Sequence, residues 1–301
     1  MNGPDGSIRL ETAPDGTRLR IGHWPAASAS RRVILCHGRT EFLEKYREVI
    51  GELNNRSCDV WSMDWRGQGL SDRMLANPQK GHIDDFSTYI DDLTWFMNLI
   101  RPAHEGETIL LGHSMGGHIV LRALLEGRIA PDRVVLTAPM IDLPISGRRR
   151  SAIESLSRFL LWTGLGRRYV FGTADYVPAQ VRFDDNPLTG DRRRFDAIHA
   201  AMAAAPGVVM GGPTFGWLDA AFRSIGKLSA LAGAAPATCP ILMCTAQADP
   251  VVSVAAQNAL SDALPDSTQE LLEDARHEIF HESDAIRDRF WKSFDRFISP
   301  P

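Results

Sequence analysis

The segment ETILLGHSMGGH, residues 107–118, decides how this 301-residue chain folds. An apolar run at 108–111 predicts a strand, and apolar residues recur at helical spacing over 119–124. Between the two lies the motif Gly-x-Ser-x-Gly, formed by Gly112, Ser114 and Gly116. In a sharp strand-to-helix turn, glycines leave room for a strained backbone, and the serine hydroxyl projects above the sheet. The motif and its setting together predict a nucleophilic serine at position 114.

The alternation of strand and helix extends over both halves of the chain. Strand-like apolar stretches are RVILCHG, DVWSMDWRG, DRVVLTAPM and PILMCTAQAD, and helical patterns such as DFSTYIDDLTWFMNLIRP lie between them. Ahead of them, IRLETAPDGTRLRIGHW predicts two strands around a Pro-Asp-Gly turn. Short apolar strands that alternate with helices indicate an α/β fold, in which helices cover both faces of a mostly parallel sheet.

The alternation is interrupted between residues 142 and 236. This stretch is rich in Gly, Ala and Arg and contains helical segments such as SAIESLSRFLLWTGLG. We predict that residues 142–236 form a mainly helical cap, inserted into a core made of residues 1–141 and 237–301.

A serine nucleophile needs a histidine base, and the histidine needs an orienting carboxylate. After a Gly-x-Ser-x-Gly turn the partners follow in the order Ser, Asp, His, on loops after later strands. Asp249 ends the strand-like run at 240–248, and His277 lies in the loop after STQELLED. Asp142 and His281 are the rival acid and base. We favour Asp249 because it ends a later strand, and His277 because it lies nearer to a strand end.

The segment DARHEIFHES offers a competing hypothesis, because His277, Glu278 and His281 form His-Glu-x-x-His. On a helix, this motif places two zinc ligands on one face beside a glutamate base. Here the motif follows a strand and a turn, and positions 284 and 287 hold Asp and Arg where the extended zinc motif has Gly and His. We therefore predict no metal site.

The ordered set of motifs resembles the α/β-hydrolases that include bacterial lysophospholipases and monoacylglycerol lipases. The matching stretches are CHGRTEFLEKY, DWRGQGLSD, GHIDDFSTYIDDL, GHSMGGHIVLRALLE, AQADPVVS and ARHEIFHESDAIRD. Within the cap, DNPLTGDRRRF and GGPTFGWL resemble the lysophospholipase branch. The resemblance implies an α/β-hydrolase fold and a catalytic triad of Ser114, Asp249 and His277.

The resemblance also implies how the reaction is supported. It assigns the oxyanion hole to the backbone N–H groups of Arg39 and Met115, and it implies no metal or organic cofactor. Arg39 is bulkier than the small residue expected there, and we expect it to narrow the alcohol side of the site. The implied substrates are lysophospholipids or monoacylglycerols. The alternatives are a carboxylesterase for small soluble esters, a peptidase of the proline-iminopeptidase kind and a catalytically silent binding module.

Composition limits the partners. The net charge of −4 provides no general field for nucleic acid, so no nucleic-acid partner is expected. No uncharged apolar run approaches the roughly 18–20 residues of a membrane span, and the first residues lack a signal-peptide pattern. Four cysteines form no C-x-x-C pair. These features predict a cytoplasmic protein. The partner that the resemblance implies is a small-molecule or lipid ester substrate. Nothing in the residue pattern indicates an oligomeric state.

The cap segment GRRRSAIESLSRFLLWTGLGRR, residues 147–168, allows two hypotheses about membrane contact. Its buried helix face is predicted to consist of Ile153, Leu156, Leu160 and Thr163. Phe159 and Trp162 lie off that face. In one hypothesis they pack within the cap and the arginines are merely solvated. In the other, the aromatic and basic side chains rest on an anionic membrane surface, from which lipid substrate is delivered.

Overall fold

A central sheet of eight strands organises the computed structural model, which describes residues 6–103, 106–232 and 238–299. The spatial order is β1-β2-β4-β3-β5-β6-β7-β8. The strands β1, β2 and β4 pair antiparallel, and all other neighbours are parallel. The strand bounds are β1 Ser7–Thr12, β2 Arg18–Trp24, β3 Arg31–Cys36, β4 Cys58–Met63, β5 Glu107–His113, β6 Arg133–Thr137, β7 Ile241–Ala246 and β8 Ser267–Leu272.

Helices cover both faces of the sheet. Buried residues of α1 and α8 join the apolar cluster on one face, and those of α2, α3 and α7 join the cluster on the other. This arrangement confirms the predicted α/β architecture. The helix bounds are α1 Arg47–Asn55, α2 Ser87–Ile100, α3 Met115–Leu125, α4 Gly147–Trp162, α5 Arg192–Ala204, α6 Phe215–Ala232, α7 Val254–Ala263 and α8 Asp284–Ile298.

The apolar patterns explain where these elements lie. Strand β5 is flanked by parallel strands on both sides, and its residues 109–113 are all buried. A continuous apolar run is typical of a parallel strand that is covered on both faces. In α8, by contrast, only one side is apolar. Its Phe290 and Phe294 are buried against the sheet. The predicted hairpin of β1 and β2 is confirmed, with Gly16 at a φ of 87° in its turn.

A tight turn after β4 supports the loop that follows β3. The fully buried Asp64 carboxylate accepts the N–H groups of Leu43 and Leu70, at 2.9 Å each. Farther along the turn, the Gln68 side-chain oxygen accepts the Thr40 N–H at 2.6 Å. Backbone groups of the loop after β3 are therefore held by side chains of the turn after β4. This arrangement positions residues 37–43 beside Ser114, which follows β5.

Three helices, α4, α5 and α6, lie between β6 and β7, within the predicted cap. Helix α6 packs on the sheet domain, since its Trp217, Ala220 and Ala221 join the same apolar cluster as α2 and α3. The division into core and cap stays a prediction, and its second boundary, at 236 and 237, lies outside the described residues.

The predicted buried face of α4 is partly wrong. Ile153 and Leu160 are half-buried, but Leu156 and Thr163 are exposed, and Ser157 is the buried residue of the helix. Helix α4 packs against α6, and the small Ser157 side chain lies at the centre of a narrow inward face. Phe159 and Trp162 therefore lie outside the packed region and are 56% and 83% exposed. The hypothesis that they pack within the cap is wrong.

Candidate active site

Ser114 lies in a strained turn between β5 and α3. Its φ of 51° and ψ of −117° are values that a non-glycine residue rarely adopts. The turn is fixed by backbone hydrogen bonds, since the Ser114 N–H donates to the Thr137 carbonyl at 3.0 Å and the Ser114 carbonyl accepts from Met140 at 3.0 Å. At Gly116, any side chain would collide with the carbonyl oxygen of Cys36. The motif glycine thus lets α3 begin directly against β3.

The three residues of the predicted triad are brought together in one chain of hydrogen bonds. His277 Nε2 lies 2.9 Å from Ser114 Oγ, and His277 Nδ1 lies 2.7 Å from Asp249 Oδ2. The second Asp249 oxygen accepts the N–H groups of Val251 and Val252, which fixes the carboxylate. With Nδ1–H donating to Asp249, Nε2 can accept the proton of the serine hydroxyl. The arrangement is chemically suited to nucleophilic attack on an acyl group.

The rival acid and the rival base lie elsewhere. Asp142 binds the Arg150 guanidinium at 2.5 Å. His281 donates from Nε2 to the Lys45 carbonyl, 3.2 Å away. Residues 279–281 form a single short 3-10 turn, so His277 and His281 do not share a face of an α-helix, as the zinc motif would require.

Two further histidines flank the serine, but their rings bond to other groups. His113 Nδ1 lies 3.0 Å from the Thr137 carbonyl, and His118 bonds to the Met140 carbonyl and the Ser224 hydroxyl. Burial lowers the pKa of His113 to about 4 and that of His118 to about 3. Both rings are therefore neutral near pH 7 and serve as packing and hydrogen-bonding groups.

The backbone amides predicted for the oxyanion hole have no acceptor within the described parts of the chain. The neighbouring amides do, since Gly38 N–H donates to Glu41 and Thr40 N–H donates to Gln68. The Arg39 and Met115 N–H groups are left free. A Cβ built on Gly38 would lie 3.1 Å from the Ser114 Cβ, so this turn passes directly beside the serine. Two free amides near a nucleophile can stabilise negative charge on an acyl oxygen.

A buried group that we call the charged triplet, Glu41, Lys45 and Glu278, was not identified from sequence. Lys45 Nζ lies 2.5 Å from Glu41 Oε1 and 2.7 Å from Glu278 Oε1, and all three residues are buried. Glu41 also binds the Gly38 N–H and the Tyr46 hydroxyl. The charged triplet therefore connects the loop after β3 to the residue that follows His277. In the sequence, the i, i+4 spacing of Glu41 and Lys45 indicates one of the two ion pairs of the charged triplet.

The charges of the charged triplet stabilise one another. Burial, the largest single influence, raises the pKa of Glu41, but the adjacent Lys45 ammonium and smaller contributions from other neighbouring groups together outweigh burial and lower that pKa to about 2. For Glu278, burial likewise raises the pKa, but Lys45 and His281 together outweigh burial, so the pKa of Glu278 lies well below its usual value. For Lys45, burial is opposed by Glu278 and Glu41, which together raise its pKa. All three groups are therefore ionised near pH 7.

Two cavities lined mainly by residues of the predicted cap approach this site. One of about 320 Å³ is bordered by Thr40 and Glu278, which follow Arg39 and His277 in the chain. A second of about 570 Å³ shares five lining residues with the first. The shared lining consists of Tyr176, Val181, Phe195, His199 and Met202. Volumes and linings of this kind are typical of sites for small apolar ligands.

Comparison with known proteins places the chain in a family. The model of the family described as serine aminopeptidase, S33, matches residues 27–284. Lysophospholipase L2 of Escherichia coli is 31% identical over 288 residues, which cover 92% of this chain and 82% of that protein. The probable lysophospholipase L2 of Haemophilus influenzae is 29% identical and covers 91% of this chain and 86% of that protein.

Solved structures support the same fold. A soluble variant of monoglyceride lipase from Saccharomyces cerevisiae superimposes with a TM-score of 0.75 at 20% identity, and the match covers 97% of this chain and 95% of that one. A carboxyl esterase from Bacillus coagulans gives a TM-score of 0.76 at 19% identity and covers 97% of each chain. Because the family model spans most of the sequence and a lysophospholipase relative aligns over nine-tenths of it, this chain belongs to the serine aminopeptidase S33 family of α/β-hydrolases.

Proposed function

We propose that this protein is a serine hydrolase that cleaves carboxylic esters of single-chain lipids through an acyl-enzyme. The observation that carries the proposal is the hydrogen-bond chain from Ser114 through His277 to Asp249. In the proposed reaction Ser114 is the nucleophile, His277 is the general base and Asp249 orients the imidazole. The names of the two L2 relatives and of the yeast monoglyceride lipase support an ester substrate.

In the proposed acylation step, Ser114 Oγ attacks the ester carbonyl as its proton passes to His277 Nε2. The carbonyl oxygen becomes an oxyanion, which accepts hydrogen bonds from the Arg39 and Met115 N–H groups. One such donor typically contributes about 3 kcal/mol to transition-state stabilisation. The tetrahedral intermediate collapses, the C–O bond to the alcohol breaks, and His277 gives its proton to the leaving alkoxide.

Deacylation repeats these steps with water. His277 removes a proton from a water molecule, the hydroxide attacks the acyl carbonyl, and Ser114 Oγ leaves and recovers the proton from His277. The products are a free fatty acid and the alcohol. Throughout, Asp249 stabilises the imidazolium, and the Ser114 turn holds Oγ at the required position.

A lipid substrate is favoured by the apolar cavities of 320 Å³ and 570 Å³ at the cap. Their lining is mostly aliphatic and aromatic, which is suited to a single acyl chain. A small soluble ester would not need such a surface. A peptidase that recognises a free amine would need an unpaired carboxylate near Ser114. The two carboxylates in the charged triplet are already bound by Lys45, which argues against that alternative.

We also propose that the cap contacts a membrane surface. Four exposed residues, which we call the cap patch, are Phe159, Trp162, Leu165 and Phe171. Exposed arginines flank them at 148, 149, 158, 167 and 168. Aromatic and basic side chains on one surface favour binding to anionic lipid headgroups. Within the described residues, no helix is both long enough and apolar enough to span a bilayer. A cytoplasmic location is proposed because all four cysteines are buried and unpaired.

Replacing the nucleophile tests the proposed reaction. Ser114→Ala should fold normally but lose activity on 1-oleoyl-lysophosphatidylcholine and 1-oleoylglycerol by about 10⁴-fold or more, because the triad acts as a unit. Fatty-acid release measures the activity, and thermal unfolding checks the fold. Ser155→Ala, on the exposed side of α4, is the matched control and should behave as wild type. Retention of most activity in Ser114→Ala would refute the assignment.

The two histidines of the His-Glu-x-x-His motif should behave differently. His277→Ala should lose nearly all activity because no base remains for Ser114. His281→Ala should keep most of its rate because the His281 ring bonds to the Lys45 carbonyl and lies beside Glu278 and Tyr46, and has no hydrogen bond to Ser114 in the described residues. Activity should be insensitive to a strong chelator, and the purified protein should contain no stoichiometric zinc. Equal losses in both variants together with chelator sensitivity would restore the zinc hypothesis.

Membrane contact is tested by sedimentation with liposomes. Wild-type protein should sediment with anionic vesicles at low salt and be released as ionic strength rises. Replacing both Phe159 and Trp162 by Ser, or Arg148 and Arg149 by Gln, should weaken sedimentation but spare hydrolysis of a soluble short-chain ester. Leu10→Ser, which also replaces an exposed apolar side chain by serine but lies in β1, is the matched control and should bind as wild type. If wild-type protein ignores anionic vesicles even at low salt, the cap patch does not bind membranes.

A further inference from the structure

The side chain of Arg39 is a cation at the site with no acidic partner within the described residues. Its guanidinium donates to the carbonyl of Gly211 at 3.2 Å and lies over the Trp217 ring, 5.5 Å from its centroid. The buried arginines at 66, 122 and 194, by contrast, each contact a carboxylate. Burial lowers the pKa of Arg39 to about 10, so the group is still charged near pH 7.

This cation has donors to spare. The guanidinium has five N–H groups and uses one of them for Gly211. Partly desolvated donors without acceptors are costly unless a ligand satisfies them. The Arg39 guanidinium is therefore chemically suited to an anionic oxygen.

The Arg39 side chain also lies next to the substrate cavity. A Cβ built on Gly81 would lie 3.2 Å from Arg39 Nη1 and 3.1 Å from Met210 Cε, so these two atoms are neighbours. Met210 and Thr40, the residue after Arg39, both line the 320 Å³ cavity. The cation is therefore near the cavity as well as one residue from the Gly38 turn that passes Ser114.

We propose that the Arg39 side chain binds the phosphate of a lysophospholipid and so selects phosphate-bearing substrates over neutral monoacylglycerols. The inference rests on the proposed ester hydrolase function and adds a substrate preference to it. A planar guanidinium offers paired N–H groups that match phosphate oxygens, and the contact is strong where water is partly excluded. Monoacylglycerol, which has hydroxyl groups only, leaves the cation without a counter-charge. Arg39 would thus determine specificity through its side chain, separately from its backbone N–H.

The test compares two lipids that carry the same acyl chain. Values of kcat/KM are measured for 1-oleoyl-lysophosphatidylcholine and for 1-oleoylglycerol, both in micelles of a neutral detergent, so that surface charge is constant. The measured quantity is the ratio of the two kcat/KM values. A general disturbance of the turn near Ser114 lowers both values by the same factor and therefore leaves the ratio unchanged. Arg39→Gln removes the charge, Arg39→Lys retains it, and Arg192→Gln is the matched control on the exposed surface of α5.

We expect the ratio to fall by about tenfold or more in Arg39→Gln, as for the loss of a hydrogen bond to a charged group. Arg39→Lys should recover part of the preference, and Arg192→Gln should leave the ratio unchanged. If Arg39→Gln slows both substrates equally, the side chain is only a structural tie between cap and sheet domain, and the inference is overturned. If the protein hydrolyses a soluble ester but neither of the two lipids, the inference is overturned too, while the ester hydrolase assignment stays intact. Failure on every ester would overturn the proposed function itself.

Discussion

The positive φ of Ser114 is the constraint on which the rest of the site depends. A serine with a φ of 51° is held there only because the surrounding structure fixes the turn on all sides. Strands β3 and β6 flank β5, the Thr137 carbonyl binds the Ser114 N–H, and Gly116 allows α3 to approach β3. The packing of the whole sheet therefore maintains this strained conformation. In that conformation the serine hydroxyl lies 2.9 Å from His277.

The charged triplet then links the two loops that must meet at this serine. Lys45 is bound to Glu41, which holds the Gly38 amide, and to Glu278, which follows His277. A buried network in which every charge is paired is costly to disturb, because the loss of one member leaves the others uncompensated. The turn that carries the Arg39 amide and the loop that carries His277 are thus fixed relative to each other. The bond from His281 to the Lys45 carbonyl joins the same two loops.

The sequence predicted the fold, and for local reasons it indicated the three residues that the structure joins by hydrogen bonds at Ser114. The elbow at Ser114 is visible because a strand, a turn and a helix follow one another in a dozen residues, and chain order then indicates Asp249 and His277. The contact of Lys45 with Glu278 spans 233 residues and leaves no local pattern. Phe159 and Trp162 were misjudged in one hypothesis because amphipathic spacing does not show how little of α4 its neighbour covers.

The central claim is that one serine carries the hydrolysis of lipid esters, and a titration tests it most directly. The protein is treated with increasing amounts of a fluorophosphonate, and at each point peptide mapping measures phosphonylated Ser114 while fatty-acid release measures activity on 1-oleoyl-lysophosphatidylcholine. The account predicts that activity falls in proportion to Ser114 phosphonylation and reaches zero at one label per chain. Full activity in protein that is completely labelled at Ser114, or inactivation by a label at another residue, would contradict it.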